Sequence, residues 1–128
     1  MLSSVLAIYL ILEQGQINGH GREYRARAQL SQIESALAFY HIDNGVFPST
    51  EQGLLSLVSR PEVAPFPRNY PPGGYFKKRD ALIDPWGAPF AYEAVGDCYR
   101  AFTLGADQLR GGEGANTDIV SSWGCSTQ

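Results

Sequence analysis

A stripe of apolar residues near the start of the chain constrains the fold more than any other feature. It consists of Leu30, Ile33, Leu37 and Tyr40. Their spacings of three, four and three residues place these side chains on one face of an α-helix. The pattern ends at Asn44-Gly45, where glycine can adopt the left-handed conformation that caps a helix. We therefore predict a helix over residues 22–43 whose apolar face needs a second layer to cover it.

The segment before this helix has a different character. Val5–Leu12 is an apolar run of 8 residues, too short to cross a membrane, which takes about 20, and it lacks the flanks of a signal peptide. Three glycines follow within residues 15–21, and each costs a helix about 1 kcal/mol relative to alanine. We expect a helix that begins here to weaken or stop near Glu13. Residues 1–21 are interpreted as foreign to the domain or as a short packing helix, and residues 22–128 as the domain.

The middle of the chain combines helix caps with helix breakers. Ser49 or Thr50 can cap a short second helix, which Pro61 stops. Residues 61–72 contain five prolines, so this stretch must be an extended or irregular connection.

In two later segments, the character of the side chains alternates from one residue to the next. Residues 90–94 and 99–104 have the two-residue period and the aromatic content of β-strands. The sequence Asp84-Pro85-Trp86-Gly87 forms a turn that leads into the first of them. These patterns predict an antiparallel hairpin and an α+β fold, in which a long N-terminal helix packs on a small antiparallel sheet and a long loop closes the chain.

The charge balance argues against a nucleic-acid partner. A chain of 128 residues has room for one domain, and its net charge is −3 with a pI near 5.3. The nearest approach to a basic face is Lys77-Lys78-Arg79, and so short a charge run usually faces water.

The two cysteines, Cys98 and Cys125, leave two interpretations open. As free thiols they would suit the cytosol, whereas a disulfide would need an oxidising compartment. Bridged, they would close a loop of 28 residues, which stabilises a protein by about 3.5 kcal/mol in the chain-entropy model. The enclosed segment is glycine-rich and has little apolar content, so we favour the disulfide and, with it, the periplasm.

Nothing in the sequence favours catalysis. The only histidines are His20 and His41, and His41 lies in the last helical turn, where a cation interacts favourably with the helix dipole. Neither a Ser-His-Asp nor a Cys-His arrangement is indicated by the spacing, and Gly73-Gly74 is too short for a phosphate loop. The chain is predicted not to be an enzyme.

Four motifs in one order carry a resemblance to a known family. They are DNGVFP at 43–48, STEQGL at 49–54, DPWGAPF at 84–90, and a loop that runs from GAD at 105–107 to TDI at 117–119 and is followed by Trp123. Together they resemble the major pseudopilin family of type II secretion over about residues 26–123. Each motif is weak alone, but four in register make the resemblance specific. The cysteine pair is not part of that pattern.

The resemblance implies a structural protein. A pilin-like subunit of this family polymerises with copies of itself into a short periplasmic filament that helps move folded proteins through the outer membrane. Its implied partners are minor pseudopilins and the inner-membrane secretion platform, and a native hydrophobic helix, which carries a methylation, anchors it in the inner membrane. Residues 1–21 do not match that helix, so we expect the membrane-embedded half to be missing here.

The C-terminal loop is the candidate binding site. Calcium takes about 6–8 oxygen ligands, and this loop offers Asp107, Glu113, Asn116, Thr117 and Asp118 among four glycines, although the EF-hand pattern is absent. The resemblance implies one Ca²⁺ with Asp107 and Asp118 as ligands. Asn116 and Thr117 stand where the family often has acids, which reduces the charge of the site. Backbone carbonyls of Leu104 and Leu109 would complete the coordination.

Two other functions compete with the major pseudopilin. A type IV pilin or minor pseudopilin would explain a C-terminal disulfide. A free-standing calcium-dependent binding module would instead need an exposed aromatic platform, for which the candidates are Tyr70, Tyr75, Phe76 and Trp86.

Overall fold

The computed structural model describes residues 2–113, 118–120 and 124–126, and it has the predicted α+β architecture. Helix α1 spans Leu2–Asn44, and two short 3₁₀ helices follow at Leu54–Leu57 and Arg79–Leu82. The strands are β1 (Ala91–Val95), β2 (Cys98–Thr103), β3 (Ile119–Val120) and β4 (Gly124–Cys125). Among the described residues, no helix has both the length and the apolar content needed to pass through a bilayer.

Helix α1 is continuous over 43 residues, so the expectation that it would weaken or stop near Glu13 is wrong. The physical reason is cooperativity: once the packed half of a helix has formed, each further residue adds a hydrogen bond without a new nucleation cost. The glycines lower that gain without cancelling it. At 1.5 Å per residue the helix is about 65 Å long.

The predicted apolar stripe is the part of α1 that packs against the rest of the domain. Leu30, Ile33, Leu37 and Tyr40 are each at most 3% exposed. Ala26 and Ala36 lie on the same face, where small side chains let other elements approach closely. The predicted second layer is present, since strands β2 and β3 and both 3₁₀ helices contact α1.

The end of α1 is fixed by its cap and by a buried amide. Gly45 adopts a left-handed conformation (φ 77°), and its N–H donates to the carbonyl of His41 at 2.7 Å, as the cap prediction requires. The amide of the buried Asn44 donates to the Tyr40 carbonyl, and its oxygen accepts the N–H of Asn69 at 2.9 Å. The helix end is thereby tied to the proline-rich segment.

The second helix differs from its prediction. Ser49 and Gln52 exchange hydrogen bonds as in a capping box, at 2.9 and 3.1 Å. Gly53 then has φ 66°, outside the helical region, so only a 3₁₀ turn forms at Leu54–Leu57. The amide nitrogen of the Gln52 side chain also donates to the carbonyls of Val63 and Pro65. The segment between the two 3₁₀ helices is irregular, as predicted.

Strands β1 and β2 form the predicted hairpin. Its register pairs Ala91 with Phe102 and Val95 with Cys98. Strands β3 and β4 both pair antiparallel with β2, Thr103 with Ile119 and Cys98 with Cys125. A disulfide joins Cys98 to Cys125 across the β2–β4 pair, with a Cα–Cα distance of 4.0 Å, so the predicted disulfide is confirmed.

Candidate metal centre

The C-terminal loop leaves the sheet at a sharply defined point. Thr103, the last residue of β2, is 1% exposed, and Gly105 is still buried. Residues 106–113 are all exposed, and the chain returns to the core at Ile119, which is 3% exposed. Gly105 turns the chain with φ 75°, a conformation in which any other residue would be strained. The loop is therefore anchored at both ends and open to solvent between them.

Asp107 folds the first part of the loop. Its Oδ1 accepts the N–H of Leu109 at 3.0 Å, which is the geometry of an Asx turn. Gln108 has a positive φ of 55°, and its side-chain amide donates to the Gly105 carbonyl. The exposed carboxylate is held by its own backbone, with further oxygen lone pairs available to a ligand.

Asp118 closes the loop from the other side. Its Oδ2 accepts the N–H of Gly111 at 3.0 Å, so this carboxylate joins the two halves of the loop. Its Oδ1 is buried, and no hydrogen-bond donor reaches it among the described residues. A buried carboxylate oxygen without a partner is costly, and a cation would satisfy it. The donor set therefore fits a hard cation.

Four of the predicted ligand residues, Leu104, Asp107, Leu109 and Asp118, are among the residues that the structure describes. Asp107 and Asp118 belong to the same loop, Leu104 precedes the buried Gly105, and the side chain of Leu109 is 66% exposed. Asn116 and Thr117 lie outside the described residues. Within the described part of the chain, no three acidic, histidine or cysteine side chains cluster as a metal site, so carbonyl and amide oxygens would have to complete a coordination sphere.

Two residues near the loop were missed by the sequence analysis. Asp84 is only 4% exposed, and Oδ1 of its carboxylate accepts the N–H groups of Trp86 at 3.0 Å and Ala88 at 2.9 Å. Its Oδ2 accepts the hydroxyl of Thr103 at 2.6 Å. The signal available in the sequence was the Asp-Pro turn, because an aspartate at the start of a turn often accepts N–H groups two or more residues later. No local sequence pattern indicated a functional role for Thr103.

The end of β2 that lies away from the loop is apolar, and a disulfide joins it to β4. Tyr99 is 6% exposed, and burial, reinforced by the negative charge of Glu34, raises its pKa to about 12. A Cβ atom at Gly124 would collide with the Tyr99 ring, so the two strands approach closely only because residue 124 is glycine. The disulfide from Cys98 to Cys125 lies directly beside this contact.

The four aromatic residues proposed as a platform are not fully exposed. Tyr70, Tyr75, Phe76 and Trp86 are all partly buried and pack against the core. The rings of Tyr70 and Tyr75 meet edge to face, with centroids 5.7 Å apart, and the Tyr75 hydroxyl donates to Asp43 at 2.7 Å. An exposed aromatic platform built from these four residues is thus not supported. Lys77, Lys78 and Arg79 are exposed, in agreement with the solvated loop that was predicted.

A long helix packed on a small antiparallel sheet, with an acidic loop after the second strand, defines the class of pilin-like domains. The family model described as type II secretion system protein G matches residues 15–122. The chain belongs to this family. The match includes residues 15–21, which the sequence analysis had set apart from the domain.

Curated relatives share this assignment. The chain is 44% identical over 99 residues to the type II secretion system core protein G of Vibrio cholerae, and 41% identical over 96 residues to that of Pseudomonas aeruginosa. These matches cover 76% and 73% of the chain. The chain spans slightly less than two thirds of these relatives, 66% of each.

A solved structure agrees with the sequence relatives. The crystal structure of the major pseudopilin from the type 2 secretion system of enterohaemorrhagic Escherichia coli matches with a TM-score of 0.70 and 34% identity. The match covers 82% of this chain and 86% of that one. It confirms the pilin-like fold and the resemblance to the major pseudopilin family, and the family assignment supports the prediction that the protein is not an enzyme.

Proposed function

We propose that this protein is a structural subunit of the type II secretion pseudopilus, in which copies of the chain assemble into a filament that helps export folded proteins. The observation that carries this proposal is the combined match over residues 15–122 to protein G and over 82% of the chain to a solved major pseudopilin. A type IV pilin was considered because of the disulfide, but the matching family is that of protein G.

A filament requires an interface that repeats without closing. Contacts between two different surfaces of identical subunits grow into an open helical array. The 43-residue helix suits this geometry, because it offers a long surface for contacts between copies. Minor pseudopilins and an inner-membrane secretion platform are the proposed partners. A periplasmic location, inner-membrane anchoring and methylation are proposed for the same reason, since they accompany this role in the family.

We further propose that Ca²⁺ is the ligand of the C-terminal loop. The support is the buried Oδ1 of Asp118, which no described donor satisfies, in a loop that also presents the carboxylate of Asp107. These two side chains would hold the ion, and oxygens of Leu104, Leu109, Asn116 and Thr117 are the proposed remaining ligands. Bound calcium would supply positive charge that offsets the two carboxylates and links both halves of the loop.

The calcium proposal predicts that removing either carboxylate charge abolishes tight binding. We expect Asp107→Asn and Asp118→Asn each to weaken calcium affinity at least tenfold in isothermal titration calorimetry, because each keeps the shape of the side chain but loses its charge. Glu113→Gln is the matched control: it removes an acid from the same exposed loop and should leave affinity within about twofold. Equal affinity in all four proteins would refute the assignment.

The filament proposal is tested separately by assembly. Cells that produce the secretion system should form pseudopilus filaments with the wild-type protein, and disulfide cross-links engineered between neighbouring copies should appear in ladders. Asp118→Asn should reduce both, because its proposed calcium site is weakened. A chain that binds calcium but remains monomeric in such cells would contradict the structural role.

A further inference from the structure

A buried polar relay connects two sequence motifs at the entrance of the C-terminal loop. Asp84 belongs to the Asp84–Gly87 turn, and Thr103 ends β2. The Thr103 hydroxyl donates to Oδ2 of Asp84 at 2.6 Å and accepts the N–H of Gly105 at 3.3 Å. Asp84 and Thr103 are 4% and 1% exposed, and Gly105 is also buried. The relay therefore runs from the turn, through one hydroxyl, to the last buried residue before the exposed loop.

The hydrogen-bonding capacity of each atom shows what the relay does. A hydroxyl has one proton to donate and two lone pairs, and Thr103 commits the proton to a carboxylate. That charge-assisted bond is short, so the hydroxyl is held with a lone pair toward Gly105. The carboxylate is fixed in turn by two N–H groups of its own turn, those of Trp86 and Ala88. The turn therefore fixes Asp84, Asp84 fixes the Thr103 hydroxyl, and this hydroxyl holds the N–H of Gly105.

We propose that Asp84 and Thr103 are positioning residues that fix the loop entrance at Gly105 before any ion binds, so that the loop is preorganised for calcium. The inference rests on the proposed calcium role for its functional meaning. Both residues act through Gly105 and touch no ion themselves. Gly105 carries the effect because its carbonyl also accepts the side chain of Gln108, next to the ligand Asp107. Partners that orient ligands typically change metal affinity 10–100-fold when they are removed.

The first test measures the loop entrance without metal. In the presence of a chelator, amide hydrogen exchange of Gly105 is compared in wild type, Thr103→Val and Thr103→Ser by NMR. Valine has the shape of threonine without its oxygen, so the Gly105 amide loses its acceptor and should exchange about tenfold faster. Serine keeps the hydroxyl and should give a rate near that of wild type. An unchanged rate in Thr103→Val would overturn the anchoring role.

The second test measures calcium affinity by calorimetry in the same proteins. Thr103→Val should bind calcium about tenfold more weakly, and Thr103→Ser should restore most of the affinity. Leu57→Ala serves as the control, because this fully buried residue lies in the first 3₁₀ helix, outside the relay and the loop, and its truncation lowers stability generally. It should lower the melting temperature and leave affinity within about twofold.

The outcomes separate this inference from the calcium proposal. If Thr103→Val lost no more affinity than Leu57→Ala, the positioning role toward the metal would be wrong even if wild type bound calcium tightly. If wild type bound no calcium, the proposed metal site would be wrong, and so would the relay's role in metal binding. The exchange rates of Gly105 would still decide whether the relay fixes the loop entrance.

Discussion

Strand β2 is stabilised in different ways at its two ends, one joined to β4 by the disulfide and the other leading into the C-terminal loop. At one end, the Cys98–Cys125 disulfide, strand pairing and the close contact of Gly124 with Tyr99 hold the chain together. At the other end, residues 106–113 are exposed, and the described contacts are hydrogen bonds to carboxylate, carbonyl and hydroxyl oxygens. The first end is complete without a ligand, whereas the second contains a buried oxygen that lacks a partner among the described residues.

This difference matters for stability, because a covalent cross-link and a bound ligand act on the folding equilibrium in different ways. A covalent cross-link stabilises mainly by restricting the unfolded chain, and it does so at any ion concentration. A ligand stabilises only in proportion to its occupancy of the folded state. The disulfide end therefore gives constant stability, whereas under the calcium proposal the stability of the loop end would depend on the ion.

The largest expected effect comes from opening the covalent end. Replacing Cys98 and Cys125 together by alanine should lower the free energy of unfolding by about 3.5 kcal/mol, because the unfolded chain regains the entropy of the closed loop. Urea denaturation of both proteins in the presence of a chelator measures the difference. Equal stabilities would show that the disulfide makes no net contribution to the free energy of unfolding.

Next in size is the steric contact beside the disulfide. Gly124→Ala should destabilise the protein by about 2 kcal/mol, since the new Cβ collides with the Tyr99 ring and the β2–β4 pair must separate. The same substitution in a Tyr99→Leu background should cost clearly less, because the ring is gone. Identical costs in both backgrounds would rule out the collision as the cause.

A glycine in the loop should matter less. Gly111 has φ +85°, and no described atom lies within 4 Å of the place that a Cβ would take, so Gly111→Ala meets only backbone strain, about 1–2 kcal/mol. Its N–H still donates to Asp118 if the loop keeps its shape. Thermal unfolding with and without calcium tests this, and a loss above that of Gly124→Ala would reverse the proposed ranking of the two ends.

The smallest effect is a dependence on alkaline pH. Burial raises the pKa of Tyr99 to about 12 in the folded protein, whereas the unfolded pKa is about 10. The stability that this group contributes is therefore present below about pH 10 and is lost between about pH 10 and 12, on the order of 1 kcal/mol by about pH 11. Denaturation curves of wild type and Tyr99→Phe should diverge over that range. Parallel curves would contradict the raised pKa.

Much of the architecture was predictable because it depends on local periodicity. The spacing of Leu30, Ile33, Leu37 and Tyr40 identified the buried helical face, and the two-residue alternation identified β1 and β2. The helix prediction failed upstream, where glycines lower propensity but do not prevent propagation from a packed helix. The second helix was predicted too long because the sequence does not reveal that Gly53 has a positive φ.

The candidate site, too, was predictable only in part. The loop is rich in oxygen-bearing side chains and glycines, and the family resemblance implied Asp107 and Asp118 as ligands of a hard cation. The burial of one Asp118 oxygen and the relay from Asp84 through Thr103 could not be predicted, because the relay joins residues 19 positions apart and burial depends on the whole fold.

The sequence by itself determined the helical face, the hairpin and the family to which the chain belongs, since these follow from nearest-neighbour spacing and from motifs in order. Only the tertiary structure decided how far the helix extends, that Cys98 and Cys125 are joined, and which polar atoms are buried together at the loop entrance. Burial and hydrogen bonding depend on residues that the fold brings together from distant positions, and no local pattern encodes those distances.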